Sequence, residues 1–403
     1  MAWVPCRHPS LRGVAAKVRT FNRRLQPFGS TVFSEITQRA VTAGAINLGQ
    51  GFPNFDGPDF VKEAAIEAIR QGLGQYAPTN GLPALGMAIA DRYRPILGEI
   101  DPARHVTVTS GCTEALAAAF LGVLQPDDAV ILIEPTYDAY PADLALAGAR
   151  PQFLTLRPPH FRLDPEQLES LVTAATRAIV VNTPHNPSGR VFTADELTAI
   201  ADLCQRHDLI AITDEVYEHM VYEREHFSLA ALEGMWDRTI TLSSLGKTFS
   251  LTGWKVGWAV AADDLTRAVR SAHQFLTFAT ATPLQYAASI ALGAPSSYFQ
   301  ELRDSYLSKR NLLAAGLAEL GFEVFLPDGT YFLMADHSRF GDRDDIAFVH
   351  RLIDEVGVAA IPPSAFYHDP GEARSLVRFA FCKDEATLVE ALDRLSNLKP
   401  VGR

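Results

Sequence analysis

The sequence has few cysteines and no long apolar run. Its 403 residues include four cysteines, and no two of them have the Cys-x-x-Cys spacing of a zinc or redox motif. A disulfide framework is therefore not expected, which is typical of a reducing compartment. The longest apolar stretch, residues 115–124, is too short to cross a bilayer. These absences argue against a disulfide-stabilised secreted domain and against a transmembrane helix.

Acidic residues are missing from the N-terminal segment. The first 34 residues contain six basic side chains and no Asp or Glu, although the whole chain has a formal net charge of −11. A basic, acid-free start is a feature of targeting peptides, and a short extension outside the fold is the simpler interpretation. We therefore expect a cytoplasmic protein. The acidic remainder of the chain argues against binding to nucleic acid.

Helical and strand patterns alternate along most of the chain. Short apolar segments separated by amphipathic helices predict buried parallel strands. After Gly321 the strands become short and interleave with helices, which predicts a second unit. The predicted fold class is α/β, with a mostly parallel central sheet flanked by helices and a smaller α+β domain. The predicted strands of the sheet include residues 106–109, 129–133, 178–181, 209–213 and 239–242, and the predicted helices include residues 139–147, 193–206 and 385–395.

The segment after the first of these strands has the features of an anion site. In open α/β sheets, ligands bind beyond the carboxyl ends of the strands. Gly111, Cys112 and Thr113 lie there, at the start of a predicted helix. Free backbone N–H groups at such a turn favour a phosphate. The turn matches neither the Gly-x-Gly-x-x-Gly nor the Walker pattern, which disfavours dinucleotides and nucleoside triphosphates.

Three further strand ends have polar or reactive side chains. Asn186 lies in a proline-rich loop, Asp214 and Tyr217 form an Asp-x-x-Tyr pattern, and Lys247 lies among small and apolar neighbours. Each alone has an ordinary explanation: an Asx-Pro turn, a helix cap with a core tyrosine, or a surface lysine. Together they match the needs of pyridoxal phosphate, which are a lysine for a Schiff base, an acid for the pyridine nitrogen, donors for the phenolate oxygen and a phosphate site.

On these motifs the chain resembles class I pyridoxal-phosphate aminotransferases of fold type I. Residues 46–53, 243–258 and 377–384 also match the family, and the resemblance extends from about Phe28 to Leu395. It is strongest to the branch of kynurenine/glutamine, methionine and succinyldiaminopimelate aminotransferases. The resemblance implies a large cofactor-binding domain at residues 61–290. It also implies a small domain formed by residues 28–60 and 291–403, with residues 1–27 as a basic N-terminal extension.

The resemblance implies catalytic roles for three residues. Lys247 would bind the cofactor covalently and then act as the mobile base. Asp214 would pair with the pyridine nitrogen. Tyr217, together with Asn186, would hydrogen-bond the phenolate oxygen, and Tyr137 would stack on the ring.

The remaining implied roles are contacts to phosphate and to substrate. Arg378 would clamp the substrate α-carboxylate, with Gly51 and Asn186 as further substrate contacts. Many family members have Arg where Lys255 stands, and the kynurenine-type branch also tolerates Lys. The implied phosphate contacts are Gly111, Cys112, Thr113, Ser244, Lys255 and, from a neighbouring subunit, Tyr76.

The implied activity is the transfer of an α-amino group from an L-amino acid to a 2-oxo acid by a ping-pong mechanism, in a homodimer with shared active sites. The donor would be methionine, glutamine, or an aromatic or kynurenine-like amino acid. Two alternatives stay open: succinyldiaminopimelate aminotransferase in lysine biosynthesis, and cysteine-conjugate β-lyase. A non-catalytic regulatory domain is disfavoured because Lys247 is present. No metal, nucleic-acid or membrane partner is expected.

Aromatic residues predict an apolar substrate pocket, which favours these donors over aspartate. Residues 30–35 lack the tryptophan that kynurenine-type relatives have before the Leu-Gly-Gln-Gly segment. Their Thr-Val-Phe sequence is shared with the succinyldiaminopimelate enzymes. The predicted pocket aromatics are Phe52, Phe55, Tyr137, Phe275 and Phe278.

Overall fold

The computed structural model describes residues 22–29 and 32–399. Most of the predicted basic extension, residues 1–27, lies outside these residues, as do Ser30 and Thr31. Within the described ranges, every helix is too short or too polar to span a membrane. The same ranges contain no cluster of three or more His, Cys, Asp or Glu side chains arranged to hold a metal ion.

Strands and helices alternate along the described chain. The strands are β1 (Ile46–Asn47), β2 (Val106–Thr109), β3 (Ala129–Glu134), β4 (Arg150–Thr155), β5 (Thr176–Asn182), β6 (Ile210–Asp214), β7 (Thr239–Ser244), β8 (Gly257–Val260), β9 (Glu323–Phe325), β10 (Phe332–Asp336), β11 (Val358–Ala359) and β12 (Leu376–Ala380). The helices are α1 (Val32–Ala43), α2 (Asp59–Arg70), α3 (Pro83–Leu97), α4 (Pro102–His105), α5 (Cys112–Val123), α6 (Ala139–Ala147), α7 (Pro165–Ser170), α8 (Ala194–Arg206), α9 (Leu245–Thr248), α10 (Asp263–Leu276), α11 (Thr282–Leu292), α12 (Ser296–Glu319), α13 (Asp345–Arg351) and α14 (Glu385–Leu395).

A seven-stranded sheet forms the centre, in the order β2-β8-β7-β6-β5-β3-β4. Strands β3 to β7 run parallel to one another, and β8 is antiparallel to both β7 and β2. The predicted α/β class with a mostly parallel sheet is therefore confirmed. Two strands of this sheet were not predicted. β8 is a short strand that follows the segment around Lys247, and β4 contains Pro151, which an edge strand tolerates because one side of it needs no ladder.

Helices cover both faces of this sheet because successive strand residues point in opposite directions. Val130 and Ala178 pack with α5 and α10 on one face, whereas Ile131 and Ile179 pack with α8 on the other. Helix α8 begins with a capping box, in which Thr193 and Glu196 bond each other's backbone. Its buried residues recur with helical spacing and form one apolar face: Leu197, Ile200, Ala201, Leu203 and Cys204.

A second core joins the two ends of the described chain. Strands β9, β10 and β12 form an antiparallel sheet, and β1 pairs with β11. Ile36 and Leu48 pack in one cluster with Leu313, Phe348 and Phe379. The division into a domain of residues 61–290 and a domain of residues 28–60 and 291–403 remains a prediction, and this shared core favours it.

The contact between α5 and α10 leads to a stability prediction. A Cβ added at Gly122 of α5 would lie 2.5 Å from the carbonyl oxygen of Ala268 in α10. Gly122→Ala is therefore expected to destabilise the fold by about 1–3 kcal/mol through overpacking. The matched control is Gly86→Ala in α3, where the nearest atom is Pro102 Cβ at 3.4 Å. Thermal unfolding should show a lower midpoint for Gly122→Ala only, and equal shifts in both variants would contradict the prediction.

Candidate active site

A cavity of about 470 Å³ opens at the carboxyl ends of β2, β5, β6 and β7. The second sheet contributes Phe332 of β10 and Arg378 of β12 to its wall. All but one of the predicted site residues line this cavity: Gly51, Gly111, Cys112, Thr113, Tyr137, Asn186, Asp214, Tyr217, Ser244, Lys247, Lys255 and Arg378. The residues that the sequence placed after separate strands therefore meet in one place.

Asp214, the last residue of β6, is 6% exposed. The Tyr140 hydroxyl donates to Asp214 Oδ2 at 2.8 Å, and the Val216 N–H lies 3.3 Å from Oδ1. Burial raises the pKa of Asp214, whereas the hydrogen bond from Tyr140 opposes this shift. A buried carboxylate of this kind favours a cationic partner in the cavity. The sequence analysis missed Tyr140, and the only local signal was its position on the predicted helix that follows Tyr137.

Lys247 lies on the single turn of α9, immediately after β7. Its Nζ lies 5.6 Å from the ring centroid of Tyr217 and 5.7 Å from that of Tyr331. Burial lowers the pKa of Lys247, although the charge of Asp214 opposes the shift. A lysine with a lowered pKa has a larger neutral fraction, which makes it a better nucleophile and base.

The turn before α5 forms an anion site. Gly111 precedes α5 with φ +82°, and a Cβ there would lie 3.1 Å from Lys255 Cε. A Cβ at Gly257 would lie 2.5 Å from the carbonyl carbon of Gly111, so both glycines are needed for this close approach. The first N–H groups of α5, at Cys112 and Thr113, have no partner within the helix. Together with the Lys255 ammonium they provide the donors that a phosphate requires.

Arg378 provides a carboxylate site on the opposite wall. It is 1% exposed and donates to Asn186 Oδ1 at 3.0 Å and to the Gly49 carbonyl at 2.8 Å. Its Nε has no partner among the described residues. The guanidinium lies 4.0 Å from the ring centroid of Phe332, and burial lowers the pKa of Arg378 to about 10. A buried guanidinium with a free donor fits a planar carboxylate.

One predicted site residue lies away from the cavity. Tyr76 is 85% exposed, and its ring packs edge-on against Phe278 with centroids 5.4 Å apart. No contact among the described residues brings Tyr76 to the anion site. Its predicted contact with the phosphate of a neighbouring subunit stays a prediction.

The predicted aromatic pocket is only partly correct. Phe52 and Tyr137 line the cavity, but Phe55, Phe275 and Phe278 do not. Phe55 lies under the Lys309 ammonium at 4.2 Å, and Phe275 is 85% exposed on the outer side of α10. Two aromatics that the prediction omitted, Phe33 and Phe332, take their place in the wall. Local sequence gave no signal for Phe332, because its place depends on how β10 packs.

The residues present fit pyridoxal phosphate. The orphaned Nε of Arg378, the glycine turn closed by Lys255, and the buried Asp214 carboxylate each offer an unsatisfied interaction of the required sign. An amine nucleophile lies in the same cavity. This set can bind a phosphate, a pyridinium and a carboxylate together.

Comparison with known families agrees with this geometry. The sequence model of the family described as aminotransferase class I and II matches residues 43–395. A probable N-succinyldiaminopimelate aminotransferase of Mycobacterium tuberculosis is 46% identical over 388 residues, covering 93% of this chain and 98% of that protein. The methionine aminotransferase of Escherichia coli is 40% identical, covering 93% and 97%. Kynurenine–oxoglutarate transaminase 1 of Homo sapiens is 40% identical, covering 92% and 96%.

Solved structures show the same fold. The structure of N-succinyldiaminopimelate aminotransferase from Mycobacterium tuberculosis superposes with a TM-score of 0.91, covering 94% of this chain and 100% of that one at 46% identity. An Escherichia coli protein with a methionine aminotransferase function superposes with a TM-score of 0.90, covering 94% and 99% at 40% identity. The fold is therefore that of the fold type I aminotransferases.

Proposed function

The chain belongs to the family of class I and II aminotransferases, and we propose that it is a pyridoxal-phosphate enzyme that transfers the α-amino group of an L-amino acid to a 2-oxo acid. The observation that carries the proposal is the meeting of Lys247, Asp214 and Arg378 in one cavity. When bound, the cofactor supplies an electron sink for the carbanion that forms at the substrate Cα.

Ten of the cavity-lining residues would hold this cofactor. Lys247 would bind it covalently through Nζ, and the Asp214 carboxylate would pair with the protonated pyridine nitrogen. Tyr137 would stack on the ring, while Asn186 and Tyr217 would donate to the phenolate oxygen. The phosphate would be bound by Gly111, Cys112, Thr113, Ser244 and Lys255.

Lys247 and Arg378 would act on the substrate. Arg378 would bind the α-carboxylate through its free Nε and an adjacent donor, which orients the Cα–H bond. Lys247, displaced from the cofactor by the substrate amine, would take the proton from Cα with Nζ. Its lowered pKa increases the fraction of the amine that is neutral and able to accept that proton. Hydrolysis would release the donor as its 2-oxo acid and leave its amino group in the site. A second 2-oxo acid would then accept that amino group by the same steps in reverse, which gives ping-pong kinetics.

The wall of the cavity favours donors with uncharged side chains. Its cationic lining residues, within the chain as described, are Lys247, Lys255 and Arg378, and each already has a role. None is left for a second carboxylate, whereas Phe33 and Phe52 offer apolar surface. We therefore favour methionine, glutamine, and aromatic or kynurenine-like amino acids over aspartate. Succinyldiaminopimelate is the second candidate, supported by the 46% identity to the mycobacterial protein of that name.

A homodimer would complete the site. Tyr76 and Phe275 are each 85% exposed, and Phe278 packs against Tyr76. Large apolar side chains exposed together mark an interaction surface. We propose that this patch lies at a two-fold interface, across which Tyr76 would reach the phosphate of the partner subunit.

Replacement of Lys247 tests the mechanism. Wild-type protein with pyridoxal phosphate is expected to be yellow and to retain the cofactor covalently after borohydride reduction and denaturation. Lys247→Ala should lose this attachment, and turnover should fall by at least about 10²-fold because the base is gone. Lys62→Ala, which removes a lysine paired with Asp56 and Asp59, should behave as wild type. A Lys247→Ala protein with normal turnover would contradict the proposed role of Lys247.

A panel of donors tests the substrate class. Each amino acid is mixed with the yellow protein, and loss of the visible band is followed in a single turnover. Methionine, glutamine, phenylalanine or kynurenine should react faster than aspartate, by about 10–200-fold for a pocket that discriminates by apolar contacts. Fastest reaction with succinyldiaminopimelate would select the second candidate, and fastest reaction with aspartate would contradict both. Pyruvate and ammonia formed from a cysteine conjugate without an oxo-acid acceptor would reveal β-lyase activity.

Sedimentation tests the proposed interface. Wild-type protein should sediment at twice the chain mass, and Phe275→Asp should shift it towards monomer because a charge replaces apolar contact. Val41→Asp is the control, since Val41 is also exposed, at 71%, but lies on α1. A monomeric wild type, or equal dissociation of both variants, is the result that excludes this surface.

A further inference from the structure

A buried lysine outside the proposed chemistry holds the segment that faces the substrate. Lys383 is 4% exposed and follows β12, five positions after Arg378. Its Nζ donates to the Phe52 carbonyl at 2.6 Å and lies 3.5 Å from the Gln50 carbonyl. Lys383 has no ion pair with any described carboxylate. A lysine is rarely buried without a partner charge, so this one requires an explanation.

Its partners belong to one segment of the cavity wall. Gln50, Gly51 and Phe52 all line the cavity. The Gly51 carbonyl, which Lys383 does not reach, accepts a hydrogen bond from the Tyr331 hydroxyl at 2.6 Å. All three consecutive carbonyl groups are therefore held by side chains of Tyr331 and Lys383.

Holding the carbonyls fixes the direction of the N–H groups. The peptide bonds of this segment are trans, and in a trans peptide the N–H points opposite to the C=O. The N–H groups of Gly51 and Phe52 are therefore turned away from Lys383 and Tyr331. Neither has a hydrogen-bond partner within the described chain. They remain available as donors at a wall that Arg378 also lines.

Lys383 also fixes an aromatic side chain of the same wall. Its Nζ lies 4.9 Å from the ring centroid of Phe52, a cation–π contact. The next residue, Asp384, also binds this segment. Its N–H donates to Asn54 Oδ1 at 2.8 Å, and Asn54 Nδ2 donates to Asp384 Oδ2 at 2.7 Å. The turn after β12 thus holds residues 50–54 at several points.

We infer that Lys383 is a positioning residue for substrate binding, which orients the Gly51 and Phe52 N–H groups and the Phe52 ring towards the amino-acid substrate; the inference rests on the proposed aminotransferase function. Lys383 does not itself line the cavity, so it would act through the segment that it holds. Its loss should weaken the binding of the donor more than it slows the chemical step.

The first measurement is hydrogen–deuterium exchange of peptides that cover residues 48–55. In Lys383→Met, the amides of Gly49 and Gln50, which donate to Asn47 Oδ1, should exchange about tenfold faster, because the segment opens more often once the hydrogen bonds from the Lys383 ammonium to its carbonyls are lost. Lys309→Met is the matched control, because Lys309 is also a partly buried lysine over aromatic rings, at 4.2 Å from Phe55 and 5.2 Å from Tyr306. Unchanged exchange in Lys383→Met, or an equal rise in Lys309→Met, would overturn the inference.

The second measurement separates KM from kcat with L-methionine as donor. Lys383→Met should raise KM about tenfold and change kcat less than about twofold, and Lys383→Arg, which keeps the charge and the donors, should restore most of the loss. A fall in kcat at constant KM would overturn the role in substrate binding. If Lys383→Met does not fold, Tyr331→Phe removes the Gly51 contact alone and should change exchange and KM in the same direction. A wild type without a visible cofactor band would reject the proposed function, while the exchange comparison would still decide whether Lys383 holds the segment.

Discussion

Burial of the Asp214 carboxylate at the end of a central strand is the constraint around which the cavity is organised. A buried charge is unfavourable unless hydrogen bonds and an opposite charge compensate for it. Tyr140 supplies one such bond. The register of the sheet determines which residues lie beside Asp214 on the neighbouring strands. Asp214 pairs with Asn182 on one side and with Leu242 on the other. The loop that contains Asn186 and the helix that contains Lys247 therefore both begin close to Asp214, at the same edge of the sheet.

Parallel pairing explains why chemistry concentrates at this edge. The strands that precede Asn186, Asp214 and Lys247 all point the same way, so the segments that follow them converge. β8 is antiparallel to its neighbours, yet its first residue also lies at this edge of the sheet. It begins at Gly257, whose missing Cβ allows the turn at Gly111 to approach. The antiparallel strand thus brings Lys255, just before it, next to the start of α5.

Local sequence patterns predicted the bounds of several helices and strands, which depend mainly on interactions between residues close in sequence. The bounds of β2, α6 and α14 agree with the prediction. Residues that favour helix ends are visible in the sequence: Gly148 ends α6 in a left-handed conformation, and Asp384 caps the start of α14. Residues whose place depends on distant packing were not predicted, as Tyr140 and Phe332 show. Phe275 illustrates the converse error, since an aromatic residue near the motifs points away from the cavity. Composition indicates that such residues exist but not which neighbour each one meets.

The strand β12 links substrate recognition to the second sheet. Arg378 lies on the strand, Lys383 in the turn after it, and Phe332 and Tyr331 at the start of the neighbouring β10. The guanidinium and the segment at residues 50–54 are thereby fixed to one another by the same element, whereas Lys247 and Asp214 are fixed to the large sheet. Any displacement of β12 relative to that sheet would move the carboxylate site and the N–H donors together. The geometry of substrate binding is therefore set within one unit, and the alignment of Cα with Lys247 is set by how the two units pack.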